Sequence, residues 1–231
     1  MSRRKLTETK LRARITTNTI NWNRINYQQK LSENFILEFR DKLNWDNTCK
    51  CQKLSDNIIR QCHDKLNWHY ISYYQKLSED IIEEFQDNID WYWISSKQEL
   101  SEKFIRKFTD KVNWSVISYY QKLSESLIRE FQDRVNWYHV SINQTLSESF
   151  IREFQDRFDW EYISRHQKLS EDFIIEFQNK LNKTNWSNVS IRQTLSEKFI
   201  LEFINKLDVK NILINQKLDQ ETRDYLLLLK G

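Results

Sequence analysis

The chain has 231 residues, of which 30% are charged, 39% hydrophobic and 14% aromatic, and its net charge is +3. It contains no proline and a single glycine, which excludes collagen-like chains, Gly- or Pro-rich disordered chains and nucleotide sites built on Gly-rich loops. Sheets with tight Gly-containing hairpins are disfavoured for the same reason, whereas the aromatic content is sufficient for a buried core.

Positive charge is concentrated at the N-terminus. Residues 1–14 have a net charge of +5, so the remaining chain sums to −2. A nucleic-acid-binding body normally carries a basic stripe, and we therefore do not expect a nucleic-acid partner. The basic start leads into no apolar segment, and no apolar run approaches the ~20 residues that cross a bilayer. These features predict a soluble, intracellular protein that is not secreted and has no membrane partner.

Tryptophan marks an internal repeat. It recurs at a constant interval at Trp22, Trp45, Trp68, Trp91, Trp114, Trp137 and Trp160. Trp186 follows after a longer interval, and Val209 takes the next equivalent position. The pattern predicts a basic N-terminal capping half-unit at 1–21, in which Lys5 to Glu8 is a degenerate K-L-S-E. It then predicts eight tandem repeats at 22–208, with a three-residue insertion near 183–185, and a C-terminal capping repeat at 209–231.

Two helices fit each unit. One begins at Leu-Ser-Glu, where a Ser such as Ser124 is a good N-cap, and we call it the Ser helix. Apolar residues follow with helical spacing at Leu127, Ile128, Phe131 and Val135, so this helix is expected to run to about Asn136. A short helix of about two turns then begins at the Trp, capped by the preceding Asn, and we call it the Trp helix.

Charged residues four apart on the Ser helix predict ion pairs within the helix. The predicted pairs are Glu38/Lys42, Glu130/Arg134, Glu153/Arg157, Glu176/Lys180 and Glu202/Lys206. A single hairpin buries too few side chains to fold alone, so the units must stack. The sequence therefore predicts an all-α protein, an α-solenoid of about nine 23-residue αα-hairpin repeats with capping half-units. Leu226 to Leu229 fit a closing helix packed on the stack, with an exposed patch for a partner as the alternative.

Two ladders of polar residues run through the repeats. A Gln occupies one position in every unit, and we interpret it as the group that satisfies the polar backbone of a turn lacking Gly and Pro. The Gln ladder comprises Gln29, Gln52, Gln75, Gln98, Gln121, Gln144, Gln167, Gln193 and Gln216. An Asp ladder, from Asp41 to Asp156, is interpreted as solvated ion pairs or helix caps rather than as a metal or catalytic site.

Cysteine and histidine give no clear chemical site. The nearest approach to a zinc ligand set is Cys49, Cys51, Cys62 and His63, but their spacing matches no common zinc site. Cys62 also lies where other units have Phe, which indicates a small core residue. The four His are scattered over different positions of the repeat. We therefore predict no metal, no cofactor, no catalytic residues and no enzymatic activity.

Variation between repeats is confined to the outer positions of the Trp helix. Aromatic residues and His, which are enriched at binding hot spots, recur there and predict a partner-binding face. The predicted residues are Tyr70, Tyr73, Tyr74, Tyr92, Trp93, Tyr119, Tyr120, Tyr138, His139, Tyr162, Arg165 and His166. The alternative is that these aromatics pack between adjacent Trp helices.

The repeat resembles that of uncharacterised proteins of giant, nucleocytoplasmic large DNA viruses. The stretches QKLSESLIREFQDRVNW at 121–137 and WEYIS at 160–164 carry the resemblance, which covers about residues 22–217. The unit containing Cys49 departs from it, because it lacks the Ile after Trp45 and the Phe at Cys62. The resemblance implies no activity and no functional residues, but it implies a location in the host cytoplasm, the virus factory or the virion.

Three functions are compatible with this sequence. We expect a non-enzymatic helical-repeat scaffold that binds a viral or host protein through the variable face of the short Trp helices. A virion structural or assembly component is the second hypothesis. A nucleic-acid-binding helical repeat is the third, with the basic N-terminal tip as its contact.

Overall fold

The computed structural model describes residues 8–230, and every regular element in that range is helical. The chain forms two compact units, Met1–Asn113 and Trp114–Gly231, so the boundary falls at the start of a repeat. Each unit is a stack of αα-hairpins, which confirms the predicted α-solenoid of hairpin repeats. The basic residues Arg3, Arg4 and Lys5 and the degenerate capping motif that begins at Lys5 lie outside the described residues.

The first unit contains an N-terminal helix followed by alternating Trp and Ser helices. Its N-terminal helix is α1 (Glu8–Thr16), which buries Leu11. The Trp helices are α2 (Trp22–Gln28), α4 (Trp45–Cys51), α6 (Trp68–Tyr74) and α8 (Trp91–Lys97). The Ser helices are α3 (Glu33–Glu38), α5 (Asp56–Gln61), α7 (Glu79–Glu84) and α9 (Glu102–Lys107), and a 3₁₀ turn (His63–Lys65) follows α5.

The second unit continues the alternation. Its Trp helices are α10 (Trp114–Tyr120), α12 (Trp137–Asn143), α14 (Trp160–His166), α16 (Lys183–Arg192) and α18 (Val209–Asn215). The Ser helices are α11 (Glu125–Glu130), α13 (Glu148–Glu153), α15 (Glu171–Glu176), α17 (Glu197–Glu202) and α19 (Gln220–Lys230), and a 3₁₀ turn (Gln178–Lys180) follows α15. Within each unit, successive Trp helices pack on one another.

The predicted caps are confirmed. Ser124 accepts a hydrogen bond from the backbone N–H of Leu127, and Asn136 accepts one from that of His139. Each Trp then closes its own hairpin by packing on the Phe residues of the following Ser helix. The centroid of the Trp137 ring, for example, lies 5.0 Å from that of Phe154. Its indole N–H also donates to the carbonyl of Gln132, at 2.9 Å.

The Ser helix is shorter than its apolar spacing predicts. Helix α11 ends at Glu130 instead of near Asn136, because Phe131 leaves the helical region at φ −113° and ψ 33°. The N–H groups of Arg134 and Val135 then both donate to the carbonyl of Phe131, which makes a separate turn. This turn, rather than a continuous helix, brings Val135 into the core.

This break explains why the predicted i, i+4 ion pairs are wrong. Glu153 pairs with Arg129 at 2.7 Å, and Arg157 pairs with Asp133 at 3.0 Å, so both bridges join neighbouring repeats. Lys180 likewise pairs with Asp156. The interpretation of the Asp ladder as solvated ion pairs is confirmed for these residues, and such exposed pairs each contribute ~1 kcal/mol or less.

The Gln of each repeat satisfies the turn of the repeat before it. Gln144 donates from Nε2 to the carbonyls of Ser118, at 2.9 Å, and Gln121, at 2.8 Å, and its Oε1 accepts from the N–H of Leu123. Seven residues make this three-bond contact within the two units, and all are buried. They are Gln52, Gln75, Gln98, Gln144, Gln167, Gln193 and Gln216. The predicted role is confirmed, but the turn belongs to the preceding unit.

Two more recurrent polar residues join adjacent repeats. The buried Ser118 accepts from the N–H of the next cap, Asn136, at 2.9 Å. Glu125, which follows the Ser cap, accepts from the N–H of the next Ser cap, Ser147, at 2.5 Å. Consensus polar positions of this repeat are therefore used for stacking.

The inserted residues lie in the first turn of the Trp helix α16, which has 10 residues instead of 7. Asn182 caps this longer helix, and Asn185 bonds back to the Asn182 N–H in a capping box. At the C-terminal end, Asp219 accepts from the N–H of Thr222. Leu226 is buried as predicted, whereas Leu227, Leu228 and Leu229 are 50%, 81% and 51% exposed, so only the first leucine packs on the stack.

We predict that Gln144→Ala lowers the free energy of unfolding by about 2–4 kcal/mol, because three buried backbone groups lose their partner. Chemical denaturation measures the loss, and faster hydrogen exchange at the Leu123 amide assigns it to the contact. The exposed Thr145→Ala is the matched control and should change stability by less than about 0.5 kcal/mol. Equal stability of the two variants would contradict the role given to Gln144.

Candidate functional site

The predicted partner-binding residues form one ring cluster in each unit. In the first unit, α6 and α8 bring Tyr73 and Trp93 together, with ring centroids 4.4 Å apart and planes at 85°. Tyr74 contacts Tyr73, and Tyr92 contacts Trp93, at 4.5 and 4.9 Å. Tyr70 extends the cluster towards α4, where the Lys50 ammonium lies 3.6 Å from its ring centroid.

An open cavity of about 260 Å³ lies among these rings. It is lined by His69, Tyr70, Tyr73, Tyr74 and Trp93. A second cavity of about 250 Å³ lies at the C-terminal ends of α6 and α8. This face of the first unit is therefore grooved and lined by aromatic side chains.

The cluster in the second unit runs across α10, α12 and α14. Tyr119 contacts Tyr120 at 4.5 Å and His139 at 5.0 Å, and Tyr138 contacts Tyr162 at 4.7 Å. The chain of contacts ends where the Tyr162 ring stacks on that of His166, at 6.4 Å.

Positive charge surrounds the end of this cluster. His166 and Arg165 are exposed at the end of α14. Partial burial, followed by the nearby guanidinium groups of Arg165 and Arg192, lowers the pKa of His166. Arg192, at the end of α16, thus belongs to the same surface although the sequence did not single it out.

Both interpretations of the aromatic face describe part of it. Tyr73, Trp93, His139 and Tyr162 are half-buried and pack between neighbouring Trp helices. Other members remain between 44% and 56% exposed: Tyr74, Tyr92, Tyr119, Tyr120 and Tyr138. Tyr27 holds an equivalent position on α2 and is 62% exposed, and its variable position in the repeat could have identified it.

The cysteines and His63 do not converge on one point. Cys49 and Cys62 are buried in the core and Cys51 is exposed. His63 lies with Nδ1 3.0 Å from the carbonyl oxygen of Arg60. Within residues 8–230, no group of three or more His, Cys, Asp or Glu side chains is placed to hold a metal ion.

One His–Asp pair does form. His69 Nδ1 lies 3.0 Å from Asp90 Oδ2, which the sequence did not predict. The other contacts of His69 in the described part of the chain are with the rings of Tyr70 and Trp93. Asp90 also caps α8, so the pair joins two repeats at the edge of the aromatic face.

We predict that one thiol of the native protein reacts rapidly with a thiol reagent at pH 8. Burial raises the pKa of Cys49 to about 11 and also raises the pKa of Cys62, so both remain protonated and covered, whereas Cys51 is accessible. Counting modified thiols by mass spectrometry tests this, with Cys51→Ser as the control that removes the fast reaction. Rapid modification of Cys49 or Cys62 in the folded protein would contradict the placement.

Comparison with known proteins leaves the surface geometry as the guide to function. Among the described helices, none has the length and apolar character needed to cross a bilayer. No protein-family model, curated protein or solved structure matches the chain.

Proposed function

We propose that the protein is a non-enzymatic helical-repeat scaffold that binds a macromolecular partner through the variable face of its Trp helices. The observation that carries this proposal is the exposure of Tyr74, Tyr92, Tyr119, Tyr120 and Tyr138 on that face. Tyrosine offers a large, rigid contact area and is frequent at binding hot spots. Because the neighbouring rings hold one another in place, little side-chain freedom would be lost on binding.

The recurrent polar residues support a scaffold role. Gln144, Ser118 and Glu125 and their equivalents bond the repeats to one another. The Asp ladder likewise binds Lys and Arg of the neighbouring repeat. These groups are committed to stacking, so the variable positions remain as the source of specificity. The resemblance of the repeat to those of giant-virus proteins supports a viral origin, with a viral or host partner.

The proposal is tested with a variant in which Tyr73, Tyr74, Tyr119 and Tyr120 are all replaced by Ser. We expect it to remain helical but to lose at least about tenfold in affinity for the partner, since four ring contacts are removed. Affinity capture from the native source, followed by binding measurements on the captured partner, gives the readout.

Tyr225→Ser is the matched control, because Tyr225 is 47% exposed on α19, away from the Trp helices. It should bind as the wild type does. If the folded quadruple variant retained every partner at full affinity, the Trp-helix face would not be the recognition surface. A structural strut would then be the better hypothesis.

A further inference from the structure

The charges of the chain are sorted by position within the repeat. We define the basic rim as the last two residues of each Trp helix and the residue that follows its C-cap Gln. In the first unit the rim carries five cations and one carboxylate: Lys30, Lys50, Lys53, Lys76, Lys97 and Glu99. In the second unit it carries five cations and no carboxylate: Lys122, Arg165, Lys168, Arg192 and Lys217.

Most rim cations are unpaired. Lys76 lies 3.7 Å from Glu99, and the Lys50 and Lys97 ammonium groups lie over the rings of Tyr70 and Tyr73. Across residues 8–230, the other seven rim cations form neither an ion pair nor a ring contact. They are Lys30, Lys53, Lys122, Arg165, Lys168, Arg192 and Lys217. All seven side chains are exposed.

Cations that follow the Ser helices behave differently. Lys65 pairs with Asp41 at 2.9 Å, Lys111 with Asp87 at 2.7 Å and Lys180 with Asp156 at 2.8 Å. The charge of that region is thus largely neutralised within the protein. The rim is therefore the surface on which positive charge remains available to a partner.

The helix dipole does not account for this distribution. A cation at a helix C-terminus is stabilising, which would suit the end of a Trp helix. However, the Ser helices end on carboxylates, as at Glu38, Glu84, Glu153 and Glu176. The chain therefore does not place cations at helix ends as a rule, and the sign of the rim requires another cause.

Aromatic rings share the rim with the cations. Tyr27, Tyr73, Tyr74, Tyr119 and Tyr120 occupy the same positions in other repeats. The rims of neighbouring repeats also meet, because the 250 Å³ cavity is lined by Tyr73, Tyr74 and Lys76 of one repeat and Lys97 and Glu99 of the next. Cations and ring faces thus alternate along each unit.

Single-stranded nucleic acid fits this combination. Its phosphates bind a groove of Lys and Arg, and its bases stack on aromatic rings without strong sequence preference. A protein interface would be expected to favour Arg over Lys and to be depleted in Lys at its centre. Eight of the ten rim cations are Lys.

We propose that the basic rim of each unit binds single-stranded RNA or DNA, with the cations on the phosphates and the exposed tyrosines stacked on bases. This inference rests on the proposed function, because it names the class of partner for the same face. It also departs from the expectation drawn from net charge, since an overall charge of −2 for the chain after residue 14 conceals a basic rim and an acidic remainder.

The experiment measures binding of the full-length protein to fluorescent 20-mers of dT and rU by anisotropy, from 50 to 300 mM salt. A 20-bp DNA duplex and a poly-glutamate peptide are the comparison ligands. If about five phosphates are contacted, log K should fall against log salt with a slope of about −3.5. Comparing dT with rU separates DNA from RNA, and the single strands should bind at least about tenfold more tightly than the duplex.

Two variants test the two components of the rim. Lys53→Glu with Lys122→Glu should weaken binding at least about tenfold and reduce the salt slope by about 1.4, for two lost phosphate contacts. Lys103→Glu with Lys198→Glu is the matched control, because these exposed lysines lie on Ser helices and the net charge changes equally. It should weaken binding less than about threefold.

Tyr74→Leu with Tyr120→Leu should weaken binding about tenfold without changing the salt slope, because stacking rather than charge is lost. The corresponding Phe substitutions keep the ring and should retain binding. Circular dichroism and thermal unfolding establish that each variant remains folded.

Several results would overturn the inference. These are failure to bind either 20-mer at 50 mM salt, equal effects of the rim and control lysine pairs, or tighter binding of poly-glutamate than of the oligonucleotides. Loss of binding when Arg3, Arg4 and Lys5 are changed to Gln would assign it to the N-terminal tip instead. A captured protein partner that still depends on Tyr73, Tyr74, Tyr119 and Tyr120 would leave the proposed function standing.

Discussion

The fold depends on a hydrogen-bonded contact between a Gln side chain and the turn of the preceding repeat. A chain without Pro and with glycine only at residue 231 cannot build tight turns in the usual way, and among the described residues only Asn18 has a positive φ. The Gln amide supplies the missing donors and acceptor. An unsatisfied buried backbone group is costly, so this contact fixes the distance from each Trp to its Gln. The insertion respects that constraint, because it precedes Trp186 and leaves the step from Trp186 to Gln193 unchanged.

The same division of labour separates stacking from recognition. Polar residues that recur in each unit bond repeat to repeat, and the Trp closes its own hairpin on Phe. The variable positions of the Trp helix are thereby free to differ without loss of the fold. They hold the exposed tyrosines and most of the unpaired cations, so the surface that varies is also the surface with chemistry to offer.

The sequence predicted the fold class, the caps and the Gln role because each depends on a local residue type at a fixed spacing. It failed at the Ser helix, where apolar spacing at Phe131 and Val135 fits both a long helix and a helix followed by a turn. The ion pairs of Glu153 and Arg157 were misassigned for the same reason, since their partners lie in the preceding repeat. The aromatic residues of the site were predicted from variation between repeats. The rim lysines were not, because a net charge adds together faces that only the fold separates.

The direction of the Gln contact has a consequence for how the chain matures. Gln144 completes a turn made by Gln121 and Leu123, and each unit is likewise completed by the one that follows it. During synthesis, the newest hairpin to leave the ribosome therefore always carries unfilled carbonyl and amide groups. They are satisfied once the next repeat has emerged, which gives biosynthesis a built-in order from the N-terminus to the C-terminus.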